Sequence, residues 1–105
     1  MLRFKDNNVR VTEIRPQLLL GITMVYSVYE AYGYDCIITS LNDSTHSKTS
    51  LHYSGSAADF RIKNLDGYDK DAVIQEVLDL FKDHPDFDCI LEATHIHLEY
   101  QPRKD

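Results

Sequence analysis

Four of the five histidines of this 105-residue chain fall into two short stretches. The first, 45–59, carries His46, His52 and Asp59; the second, 92–97, carries Glu92, His95 and His97. In an extended segment His95 and His97 share one face, about 6–7 Å apart along the strand, and Ile96 points the opposite way into a core. Two neighbouring imidazoles are costly when both are charged. The pair makes sense when a metal holds at least one of them neutral and the other hydrogen-bonds or polarises a substrate. Between His52 and Asp59 lie Gly55, Ala57 and Ala58, small residues that let the backbone pass close to a site and turn. One histidine from a loop, one aspartate from a strand and one histidine from a neighbouring strand make a three-ligand zinc site with a position left for water. Nitrogen and oxygen donors suit zinc and are tolerated by other divalent metals. Glu92, an acid beside the metal and not a ligand to it, is the candidate to take a proton from water. The competing interpretation of His95 and His97 is a solvent-facing polar stripe on an edge strand. His84, beside Pro85, reads as an ordinary helix-end residue, favourable next to the C-terminal dipole.

The elements that must position these groups follow from periodicity. Pro16 suits the first turn of a helix, where its missing N–H has no partner to lose. Leu18, Ile22, Val25, Tyr29 and Tyr32 recur at spacings of three and four, and Gly33 is a natural stop, so the spacing predicts a helix over 16–32. Tyr26, Tyr29 and Tyr32 are expected to cover that helix. A short β-branched run predicts a buried strand over 34–39, followed by a polar loop over 40–50. Alternation over 57–63, with Ala58, Phe60 and Ile62 on one side and Asp59 and Arg61 on the other, predicts a second strand. Asp66-Gly67 turns the chain. Asp69 is the expected N-cap of a helix over 71–82 whose apolar face is Val73, Ile74, Val77, Leu78 and Phe81. The segment 87–100 reads as one long strand or two short ones. Val9-Arg10-Val11-Thr12, after the Asn7-Asn8 turn signal, adds a short alternating run. The order implies an α+β domain with two main helices packed on a small antiparallel sheet.

Length gives one domain, 1–105, without room for a second core. The net charge is −6, from 17 acidic and 11 basic side chains, and no Lys/Arg run exists beyond Arg103–Lys104. That balance repels a phosphate backbone and an anionic membrane, so neither nucleic acid nor membrane is an expected partner. The longest apolar-leaning stretch, 18–28, is too short to span a bilayer. The two cysteines, Cys36 and Cys89, sit in apolar segments and read as buried free thiols. No secretory signal is visible at the N-terminus, which suits a cytoplasmic protein.

His52, Gly55, Ala57 and Asp59 form an H-x-x-G-x-A-x-D pattern that resembles the metal motif of the zinc D-Ala-D-Ala carboxypeptidase family. That family includes bacteriophage endolysin peptidases and the dipeptidases of vancomycin resistance. The longer stretch His46-Ser47-x-x-Ser50-Leu51-His52-Tyr53-x-Gly55-x-Ala57-x-Asp59 also looks like the hedgehog signalling domain, whose fold is related. His95-Ile96-His97 resembles the closing H-x-H of both. The resemblance implies a hedgehog/DD-peptidase-like fold and zinc ligands at His52, Asp59 and His97. It implies His46 and His95 at the oxyanion side and Glu92 as general base. Some members end in E-x-x-H, a spacing that Glu92 and His95 also satisfy, so His95 competes with His97 as third ligand; the H-x-H pattern favours His97. The region Thr39-Ser40-Leu41-Asn42-Asp43 lacks the Arg with which many carboxypeptidases hold substrate. Cleavage inside a stem peptide is therefore as consistent as release of a terminal residue, with Arg61 as a substitute cation. The implied activity is zinc-dependent hydrolysis of peptidoglycan peptides, by a cytoplasmic or phage-encoded protein whose site of action is the cell wall. The alternatives are a non-catalytic zinc-binding module of hedgehog type and a phage structural or assembly protein.

Overall fold

A computed structural model describes residues 1–6, 16–41 and 57–101. The elements run β1 (Leu2–Phe4), α1 (Pro16–Ala31), β2 (Cys36–Leu41), β3 (Ala57–Arg61), α2 (Gly67–Leu80), β4 (Phe87–Leu91) and β5 (His95–Tyr100). The strands form one five-stranded sheet in the order β1-β2-β3-β5-β4. The α+β class is as expected, but the sheet is mixed. β1 runs parallel to β2, with Leu2, Arg3 and Phe4 paired to Cys36, Ile37 and Ile38, while β2–β3, β3–β5 and β5–β4 are antiparallel. Parallel neighbours need a long crossover, and α1 lies within this one. Strand β1 has only three residues, all exposed. With no buried face it leaves no alternation in the sequence, which is why the expectation of a purely antiparallel sheet was wrong. Arg3 and the N-terminal ammonium tie it down through Asp35, at 2.9 and 3.4 Å.

Helix α1 buries Leu18, Gly21, Ile22, Val25, Val28 and Tyr29. Gly33, at φ +84°, provides the left-handed conformation that ends it. Of its tyrosines, Tyr29 is fully buried and donates its hydroxyl to the Arg61 carbonyl at 2.9 Å, fixing α1 to the end of β3. Helix α2 starts earlier than predicted. Its N-cap is Asp66, whose carboxylate accepts the Tyr68 N–H at 3.1 Å. Asp69, the expected cap, lies in the first turn and accepts the Tyr34 hydroxyl at 2.7 Å instead. Two aspartates three residues apart each satisfy a capping pattern, and the tertiary contact to Tyr34 separates them. The long C-terminal segment is two strands joined by a tight turn, in which the Glu92 N–H donates to the His95 carbonyl at 2.8 Å.

Both helices pack on one side of the sheet. Leu18, Ile22 and Val25 of α1 and Val73 and Val77 of α2 join Ile38, Phe60, Ile96 and Leu98 in a single core. Cys36 is buried and Cys89 half-buried, both as free thiols that burial pushes up to about 12. Among the described residues no helix is long and apolar enough to cross a membrane.

Candidate metal centre

The alternation that sends Ile96 and Leu98 into the core sends His95, His97 and Glu99 to the opposite face of β5, away from the helices. On the adjacent β3, Asp59 stands directly opposite His97, and Arg61 opposite His95. Directly opposed residues of an antiparallel pair carry their side chains on the same face. Strand pairing alone therefore brings the carboxylate and both imidazoles together.

A β-bulge lies on the other side of Asp59. Ile38 pairs with Phe60 and Ser40 with Asp59, leaving Thr39 as the extra residue. The Thr39 hydroxyl donates to the Asp59 carbonyl at 3.4 Å. The extra residue also changes the phase of burial along β2, so that Ile38 and Leu41 both reach the core.

Three ligand atoms converge: Asp59 Oδ1, one nitrogen of His95 and one of His97, all within 4.8 Å of one another. Oδ1 of Asp59 lies 2.7 Å from His97 Nδ1 and 3.6 Å from His95 Nε2. The side chains are mostly withdrawn from solvent, with Asp59 16%, His97 23% and His95 27% exposed. The far nitrogen of each ring is also held. His95 Nδ1 is 3.0 Å from the Thr94 hydroxyl, and His97 Nε2 is 3.1 Å from Glu99 Oε1. Since carboxylates only accept, His97 donates from both nitrogens in this arrangement and is an imidazolium between two anions. The hydrogen bond that His97 donates to Asp59 raises its pKa to about 9, with burial opposing the effect and Glu99 adding to it.

This donor set fits a divalent ion. Two imidazole nitrogens and one carboxylate oxygen are zinc-type ligands. Tetrahedral ligands about 2.0–2.1 Å from zinc stand roughly 3.3 Å apart. The Asp59–His95 separation is close to that, and the Asp59–His97 hydrogen bond has only to open by a few tenths of an ångström.

Of the residues predicted from sequence, Asp59, His95 and His97 are brought together. His46 and His52 lie outside the described residues. Glu92 is exposed in the β4–β5 turn, three residues before His95. Sequence reasoning missed Glu99, although its period-two spacing from His95 and His97 already put it on their face. It also missed Ile90, which stands opposite His97 on β4 and remains 49% exposed, an apolar side chain flanking the cluster. No family model, curated protein or solved structure matches the chain.

Proposed function

We propose that the protein is a zinc-dependent peptidase acting on the peptide stems of bacterial peptidoglycan. The observation that supports this reading most is the convergence of Asp59 Oδ1, His95 and His97 on the sheet face away from the helices, within 4.8 Å. The H-x-x-G-x-A-x-D and H-x-H motifs, whose matched positions include all three residues, give the reading its chemistry. Asp59 and His97, with His52 from the preceding segment, are the proposed ligands, and His95 stands beside them. When bound, zinc supplies a Lewis acid that polarises a carbonyl and lowers the pKa of water towards 7.

The protein side chains do the rest. Glu92 is the proposed general base, taking a proton from the attacking water and returning one to the leaving amine. His95, with Thr94 on its Nδ1 and Nε2 turned inward, is suited to donate to the developing oxyanion, as is His46; one such donor contributes about 3–4 kcal/mol. Arg61, in register with His95, supplies a cation beside the cluster for a substrate carboxylate. Ile90 on the opposite flank offers apolar contact to a side chain of the peptide.

The test is hydrolysis of purified stem-peptide fragments, with chelator and with zinc restored. Cleavage that is lost on chelation and regained with zinc is the expected result. A protein that takes up zinc but leaves every fragment intact would be the non-catalytic zinc module. One that takes up no metal would return the histidines to a surface stripe.

A further inference from the structure

Both oxygens of Glu99 are engaged. Oε1 faces His97 Nε2 at 3.1 Å, and Oε2 accepts the Gln101 side-chain N–H at 2.6 Å. The carboxylate is 23% exposed. His97 and Glu99 of β5 and Gln101 just beyond its end thus form a hydrogen-bonded line that ends at the cluster.

An imidazole can give the Nδ1 lone pair to a cation only if its remaining proton sits on Nε2. A neutral histidine is otherwise free to place that proton on either nitrogen. An acceptor fixed at Nε2 removes the choice and also stops the ring from turning. Carboxylates behind metal-bound histidines perform this task generally, and losing one costs about 10–100-fold in metal affinity.

We propose that Glu99, held by Gln101, is a positioning residue that fixes His97 with Nδ1 towards Asp59 and the metal position. This inference rests on the metal-site reading above and adds to it a stated ligand atom. His97 offers Nδ1 to the ion, while His95 turns its Nε2 towards the same Asp59 oxygen from beside it, so the two rings present opposite nitrogens to Asp59.

The experiment titrates the metal-stripped full-length chain with Zn2+ by calorimetry, and with Co2+ by visible absorption. Glu99→Leu is expected to weaken Zn2+ binding about 10–100-fold and to alter the Co2+ band shape, because the His97 ring is no longer oriented. Glu99→Gln, whose amide oxygen still accepts from Nε2–H, should recover most of the affinity and the wild-type Co2+ spectrum. Asp88→Asn removes an equal charge directly opposite Glu99 on β4 and should leave binding within twofold. Equal affinity in wild type and Glu99→Leu overturns the inference and leaves the metal site standing. Equal losses in Glu99→Leu and Asp88→Asn overturn it too, since charge alone would then be the cause. Should Glu99→Leu fail to fold, Gln101→Leu, which frees Glu99 without removing it, must lower the affinity; no change there overturns the inference. A wild-type protein that binds neither ion overturns both readings.

Discussion

Asp59 and His97 are direct partners across the β3–β5 ladder, and the same pairing sets their side chains 2.7 Å apart. Backbone register thus sets the closest contact of the site. Zinc should therefore stabilise the folded chain by mass action. At a free concentration 100 times Kd the gain is about 2.7 kcal/mol. For a domain of this size each kcal/mol raises Tm by about 4–8 °C. Asp59→Asn should abolish that rise in a thermal melt with added zinc. An undiminished rise in the variant would place the ion elsewhere.

The metal-free protein has its own signature. His97 is raised to about 9 by its hydrogen bond to Asp59, above the ordinary 6.5. A raised histidine contributes stability that is complete below about 6.5 and disappears as pH climbs through about 9. The contact is a charge-assisted hydrogen bond, of the kind that contributes about 1.5–3 kcal/mol. In chelator, the urea-derived stability gap between wild type and Asp59→Asn should be widest near pH 6 and narrow by pH 10. Taking the difference between the two proteins cancels the titration of every distant group. A gap independent of pH would show that the imidazolium form is not the one that folding stabilises.

Helix α1 lies close enough to the sheet that Gly21 has no room for a side chain. A Cβ there would stand 2.8 Å from Phe87 Cε1 and 2.9 Å from Leu98 Cδ2. Leu98 is fully buried, so its side chain has to repack within the core to make room. Overpacking costs about 1–3 kcal/mol, and better helix propensity returns about 1 kcal/mol. Gly21→Ala should lose about 1 kcal/mol on balance. Gly67→Ala, where a Cβ meets nothing within 4 Å, should lose nothing. Chemical denaturation of the two variants side by side makes the comparison, and equal midpoints would contradict the close approach.

What could be read from the sequence follows the strength of the local pattern. The three-and-four spacing of Leu18, Ile22, Val25 and Tyr29 marked α1, and the alternation around Phe60 and Ile96 marked the two strands that hold Asp59, His95 and His97. Those strands have one apolar, buried face and one polar face, so burial itself writes the period into the sequence. Strand β1 has no buried face and left no trace. The bulge at Thr39 was invisible because it depends on a partner strand. Glu99 is obscured for a chemical reason: Glu92, preceding the histidines, has the spacing of a base, whereas Glu99, following them on the same face, makes the hydrogen bond. Asp66 and Asp69 compete on equal local terms, and only the distant Tyr34 hydroxyl decides between them.

Glu92 provides the sharpest separation of catalysis from metal binding. It is exposed in the turn before His95, where its backbone N–H donates to the His95 carbonyl, and among the described residues it does not belong to the converging cluster. If it acts as the general base, its neutral amide isostere removes proton transfer and nothing else. Glu92→Gln should then bind zinc as wild type does and unfold at the same temperature. Its turnover of stem peptides should fall about 100-fold or more, the scale of general acid–base catalysis. Glu99→Gln predicts a different profile, with zinc affinity and turnover declining together and only modestly. Metal analysis, a thermal melt and a single-turnover assay on both variants distinguish the two carboxylates. Zinc lost from Glu92→Gln would make that residue a ligand, and full turnover in it would move the base to another group on the same face.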